Sequence, residues 1–107
     1  MTEINRDLVC VLLPTLNEKD TIGPVIEGLK AQGYHNILVA DGRSTDGTAE
    51  IAAGLGAKVF VQQGKGKGQA MIEAFSIIED PYVLMLDGDG TNPPEFADAM
   101  VEPLFAG

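Results

Sequence analysis

The sequence predicts an α/β fold: an open, mostly parallel sheet of about four strands in the order 3-2-1-4, with helices on both faces. Short apolar runs at Leu8–Leu13, Ile37–Ala40, Lys58–Val61 and Tyr82–Leu86 alternate with stretches whose apolar residues recur at helical spacing. The connections are short, and parallel strands joined through helices cross over right-handed. In this order strands one and four are neighbours and the chain reverses direction between them. The loops leaving their carboxyl ends then flank one crevice, where open α/β sheets bind ligands.

Each element has its own signal. Leu8-Val-Cys-Val-Leu-Leu13 reads as a central strand closed by Pro14, which has no N–H to give to a ladder. Asp20 is the expected cap of a first helix, whose stripe is Ile22, Val25, Ile26 and Leu29 and whose stop is Gly33. Strand two, Ile37–Ala40, runs into the polar loop Asp41–Thr48. A second helix follows, with Ile51, Ala52 and Leu55 inward and Gly54 and Gly56 weakening its end. After strand three the glycine-rich run Gly64–Gly68 reads as a loop. A third helix then carries the stripe Met71, Ala74, Phe75 and Ile78. Tyr82–Leu86 has the continuous apolar character of a strand buried on both faces. Asn92-Pro-Pro-Glu95 is a helix start, and the fourth helix is expected from about Pro93 towards Leu104, ended early by Pro103.

The 107 residues, 45% hydrophobic and 21% charged, fit one ordinary folded domain, short for a complete α/β enzyme. A net charge of −9 argues against non-specific nucleic-acid binding and against docking on anionic lipid through basic patches. Cys10 is the sole cysteine, so no intrachain disulfide forms, and its apolar surroundings make it a core residue. His35, the sole histidine, reads as a surface residue, and one His with one Cys builds neither a triad nor a zinc cluster. No apolar stretch approaches the roughly 18 residues of a membrane helix, and the start lacks a signal-peptide core; the expected location is cytoplasmic.

Acids and small polar groups recur after three strands: Pro14-Thr-Leu-Asn-Glu18, Asp41–Thr48 and Asp87-Gly-Asp89. Singly, each reads equally well as turn and cap chemistry. Together they face one edge of the sheet. Asp87 and Asp89 suit a hard cation, Mg²⁺ or Mn²⁺, left with coordination positions to share with a polyphosphate. Asn92 and Asp98 stand where a calcium loop needs Gly and Glu, so calcium-hand chemistry is not expected. Gly64–Gly68 is neither a dinucleotide fingerprint, which belongs after the first strand, nor a P-loop, since Gly68 follows Lys67. It reads either as a flexible loop or as a carrier of Lys65 or Lys67 to a ligand phosphate.

Four segments, in order, resemble the family two nucleotide-sugar glycosyltransferases of GT-A fold, especially the dolichyl- or polyprenyl-phosphate hexose synthases. They are Pro14-Thr-Leu-Asn-Glu18, Asp41 with Ser44-Thr-Asp-Gly-Thr48, Gly66-Lys-Gly68 with Ala70, and Asp87-Gly-Asp89. The family often has a second acid where this chain has Gly42. The resemblance implies a Rossmann-like N-terminal half of a GT-A fold, with Pro14, Thr15, Asn17 and Glu18 lining a nucleoside pocket. It implies Asp41 on the base, Ser44 and Asp46 in the supporting loop, Lys67 near the diphosphate, Asp87 and Gly88 at ribose or metal, and Asp89 on the cation. It assigns no catalytic base. The implied reaction moves a hexose, with inversion, from a GDP- or UDP-sugar, with a polyprenyl phosphate as candidate acceptor at the cytoplasmic face of the membrane.

The acceptor site of such enzymes lies well beyond the Asp-x-Asp. Residues 1–107 are therefore expected to be one nucleotide-sugar-binding domain, completed by a C-terminal part, a partner or a second copy. Two other classes compete. One is a metal-dependent nucleotide-binding module without turnover. The other is a sugar-1-phosphate nucleotidyltransferase, which normally opens with a glycine-rich loop that Pro14–Glu18 lacks.

Overall fold

The structure, a computed structural model, describes residues 4–62, 66–86 and 94–105, for residues 66–71 the backbone alone. Four parallel strands, β1 (Val9–Thr15), β2 (Ile37–Asp41), β3 (Lys58–Val61) and β4 (Tyr82–Met85), lie in the order β3-β2-β1-β4. This is the predicted architecture. Helices α1 (Ile22–Ala31), α2 (Thr48–Gly54), α3 (Gly66–Ile77) and α4 (Ala97–Phe105) connect and cover them, with 3₁₀ turns at Arg6–Leu8 and Pro94–Phe96.

Alternation along β1 divides the core. Val9, Val11 and Leu13 pack with Ile22, Val25, Ile26 and Leu29 of α1, Ala52 of α2, and Ala97 and Val101 of α4. Cys10 and Leu12 face the other way, onto Ala74 of α3, with Phe60, Ile78 and Val83 alongside. Burial pushes the Cys10 thiol up to about 11, so it stays protonated at neutral pH, as a core residue should.

Several boundaries differ from expectation. β1 does not stop at Pro14 but runs on to Thr15, with Pro14 opposite Ala40 and Thr15 opposite Asp41. Val11 N donates to Asn36 O and Leu86 N to Leu12 O, so odd residues of β1 bond towards β2 and even ones towards β4. The N–H missing at Pro14 is therefore lost where pairing with β4 ends, and the β2 ladder continues. Helix α1 is capped at Thr21, not Asp20, and Glu18 O receives the amides of Thr21 and Ile22. Its end is as expected: Gly33, at φ 98, donates to Lys30 O, and Tyr34 N to Leu29 O.

Ile51 is 37% exposed, because α2 is one short turn pair anchored by Thr48 and Ala52, and Ile51 falls on its flank near Gly23. The run Gly64–Gly68 is not wholly a loop, since α3 begins at Gly66. Phe75, placed in the buried stripe, is 49% exposed, and Met85 of the edge strand β4 is 45% exposed, so β4 is not buried on both faces. Helix α4 opens at Ala97 after the Pro94–Phe96 turn and continues through Pro103. The carbonyl that Pro103 leaves without a donor belongs to Ala99, an exposed residue that water can serve, and Phe105 holds the helix end against Tyr82, ring centroids 4.9 Å apart.

Two contacts set the position of the segment after the acidic loop. A Cβ on Gly28 would lie 2.7 Å from Pro94 Cγ, so α1 meets the Pro94 ring where nothing larger than glycine fits. Gly28→Ala gains about 1 kcal/mol of helix propensity and loses about 1–3 kcal/mol to overpacking. A rigid ring cannot step aside, so we expect a net loss, read as a lower thermal midpoint.

Asp98 of α4 accepts from Arg6 Nε at 3.1 Å and Nη2 at 2.5 Å, and from Tyr34 Oη at 2.6 Å. The Arg6 hydrogen bonds hold the Asp98 carboxyl below its ordinary range against the opposing effect of burial, and burial together with Asp98 holds the Tyr34 hydroxyl up. A carboxyl lowered on folding stabilises fully above its unfolded pKa of about 3.9 and loses that contribution as pH falls through the folded value. The thermal midpoint should thus fall below about pH 4, and Asp98→Asn should flatten that fall.

Candidate functional site

The loops leaving β1 and β2 are built into one another at the carboxyl edge of the sheet. Strand pairing ends with Thr15 beside Asp41, and Gly42 N donates to Thr15 O at 2.8 Å. A Cβ on Gly42 would lie 3.3 Å from that carbonyl, so a larger residue there would need the two loops to give by a few tenths of an ångström.

Asp41 is 1% exposed, and its carboxylate gathers the two loops. Oδ1 accepts from Thr15 Oγ1 at 2.9 Å and from Ser44 Oγ at 2.6 Å, while Oδ2 accepts from Ser44 N at 2.8 Å. Ser44 Oγ in turn accepts from Asn17 N at 2.8 Å, and Asn17 Oδ1 accepts from Thr45 N at 2.9 Å. Asn17 and Arg43 occupy left-handed backbone, φ 53 and φ 66, and the bonds that Asn17 makes on both sides fix its strained turn.

A second group of bonds holds the outer part of the loops. Asp46 Oδ2 accepts from Lys19 N at 3.1 Å, and Oδ1 accepts from Thr48 N at 3.0 Å and from the Thr48 hydroxyl. Thr48 Oγ1 also accepts from Glu18 N at 2.9 Å. The Thr48 hydrogen bond leads the causes that hold the Asp46 carboxyl below its usual range.

The structure therefore brings Thr15, Asn17, Glu18, Asp41, Ser44 and Asp46 together, with Pro14 buried beneath them. Thr45 and Thr48 join them; both stand in the quoted Ser44–Thr48 segment, but neither has an assigned role there, because a hydroxyl in a loop reads as turn chemistry until its partner is known. Lys67 lies in the first turn of α3, and its side chain is outside what is described. Asp87, Gly88 and Asp89 lie outside the described residues. Leu86, which follows β4 and precedes them, is 1% exposed and donates at 3.0 Å to Leu12 O of β1, the strand that carries Thr15. Among the described residues no group of three or more His, Cys, Asp and Glu could hold a metal ion. The two carboxylates of Asp87-Gly-Asp89 remain the hard-oxygen donor set that fits Mg²⁺ or Mn²⁺.

A polar hollow lined by Asp7, His35, Lys58, Glu79 and Asp80 lies at the opposite, amino ends of the strands, away from these loops.

Residues 10–107 match the family described as Glycosyl transferase family 2. The chain belongs to that family.

Over 102 residues the chain is 54% identical to glycosyltransferase AglJ of Haloferax volcanii, covering 94% of this chain and 34% of AglJ. It is 36% identical over 98 residues to a dolichyl-phosphate hexose transferase of the same organism, covering 90% of this chain and 42% of that protein. Its fold is similar to that of glucosyl-3-phosphoglycerate synthase from Mycobacterium tuberculosis, solved with Mn²⁺, uridine diphosphate and glucosyl-3-phosphoglycerate. There the TM-score is 0.83 and the identity 32%, over 92% of this chain and 40% of that one. The chain thus spans about a third to two-fifths of the length of these proteins. The family match confirms the resemblance read from the four motifs, and the structural match confirms the GT-A half.

Proposed function

We propose that this chain is the donor-binding part of an inverting glycosyltransferase that moves a hexose from a nucleoside-diphosphate sugar to a polyprenyl phosphate. The observation that carries this reading is the interlocking of the Pro14–Glu18 and Asp41–Thr48 loops around Asp41, beside the strand that leads into Asp87. Loops fixed before ligand arrives bind without a large ordering cost.

In this reading Pro14, Thr15, Asn17 and Glu18 form the wall on which the nucleoside rests, and Ser44 and Asp46 keep that wall in place. Asp41 Oδ1 already takes two donors and Oδ2 one, which leaves Oδ2 an acceptor position for an N–H of the base. Gly42, lacking a side chain, gives the base room to approach it. Asp87 and Asp89 would hold Mg²⁺ or Mn²⁺, which when bound offsets the charge that gathers on the departing diphosphate. In the same reading Lys67 would bring a positive charge to those oxygens, and Gly88 would present no side chain to them. A phosphate acceptor is ionised near neutral pH and needs no base from the protein, in keeping with a site that has no assigned one. Beyond uridine diphosphate, GDP-sugars remain candidate donors. The acceptor-binding part is supplied by further chain, by a partner or by a second copy, with the lipid acceptor bringing the protein to the cytoplasmic membrane face.

Release of UDP or GDP from the corresponding hexose nucleotide, stimulated by dolichyl phosphate and Mn²⁺, tests the transfer. Metal-dependent nucleotide binding with no such release, even when the chain is extended to its relatives' length, would make it a binding module instead.

A further inference from the structure

Thr48 is wholly buried, and both partners of its hydroxyl are polar groups of the two loops. Its hydroxyl is placed between two loops. It donates to Asp46 Oδ1 and accepts from the backbone amide of Glu18, so it uses both halves of its hydrogen-bonding capacity across 30 residues of sequence. The next amide, Lys19 N, goes directly to the other oxygen of Asp46. Glu18 O then receives the amides of Thr21 and Ile22, which start α1. The last residue of the first loop is thereby held on one side by α1 and on the other by the Thr48–Asp46 pair.

We infer that Thr48 is a positioning residue for donor binding: its hydroxyl sets where Glu18, and with it the Asn17–Glu18 wall, stands relative to Asp41. This rests on the donor-site reading above and adds to it a residue that touches no ligand. The α2 terminus could be capped without this arrangement, since Asp46 Oδ1 also accepts from Thr48 N. What the hydroxyl adds is the link to Glu18. Serine can make that link and valine cannot, although valine fills the same space.

The test uses calorimetric titration of whichever of UDP or GDP binds tighter in the presence of Mn²⁺, on the unaltered chain, Thr48→Val and Thr48→Ser. The expected result is affinity at least about tenfold weaker in Thr48→Val and within about twofold of the unaltered chain in Thr48→Ser, as loss of one bond to a buried amide would give. Amide exchange should quicken at Glu18 and Lys19 in Thr48→Val and stay slow at Ile26 and Leu29. If Thr48→Val does not fold, Asp46→Asn interrogates the same pair, because its amide nitrogen must face either Lys19 N–H or the Thr48 donors. The same weakening is expected there. Tight binding left unchanged by these variants, or a serine variant as weak as the valine one, overturns this inference alone. Failure of the unaltered chain to bind either nucleotide overturns it together with the donor-site reading.

Discussion

Asp41→Ala is expected to lower stability by about 2–4 kcal/mol and to weaken nucleotide binding at least about tenfold. The carboxylate is 1% exposed and takes three donors: the Thr15 hydroxyl, the Ser44 hydroxyl and the Ser44 amide. Alanine leaves all three facing a space without an acceptor, and each buried donor so stranded costs about 1–3 kcal/mol, partly relieved where water enters. For a domain of this size the loss corresponds to a fall in thermal midpoint of roughly 10–25 °C. Asp41→Asn separates charge from shape. It can keep its oxygen on the Ser44 amide and turn its NH₂ to the Thr15 and Ser44 hydroxyls, which can rotate to accept, so its loss of stability should be smaller than that of alanine. If Asp41→Ala were as stable as the unaltered chain, the Asp41 side chain would not be what joins the loops.

Asp89→Ala is expected to act differently, on affinity and not on folding. With one of two carboxylates removed, the cation loses half of its protein charge, and the Mn²⁺-dependent part of nucleotide affinity should fall about 10–100-fold, 1.4–2.7 kcal/mol. The thermal midpoint without ligand should be nearly unchanged. The contrast between the two variants distinguishes an acid that builds the site from one that serves the ligand.

The sequence carried the sheet well because buried parallel strands are almost uniformly apolar and each is followed by a helical stripe. Val11 and Ile26 could hardly be placed otherwise. What escaped was set by neighbours in space. Pro14 ends only the ladder on the β4 side, which cannot be known until the bonding parity of β1 is known. Pro103 stays helical where the carbonyl it strands belongs to the exposed Ala99. Ile51 and Phe75 fit helical stripes, yet lie on flanks that leave them partly exposed. At the site, the acids and amides were legible as a set because three loops carried the same chemistry. Their division of labour was not. Asp41 and Thr48 look alike in sequence to any turn residue, and their joining roles arise from bonds spanning 26 and 30 residues.

The loops joined through Asp41, together with the Asp87-Gly-Asp89 segment, are proposed to grip a nucleoside diphosphate and a divalent cation at once. Calorimetric titration of UDP and GDP into the chain, with and without Mn²⁺, tests it most directly. At least one nucleotide is expected to bind, more tightly with Mn²⁺, and to lose that gain in Asp89→Ala. Affinity indifferent to Mn²⁺, or equal in the two proteins, would contradict it.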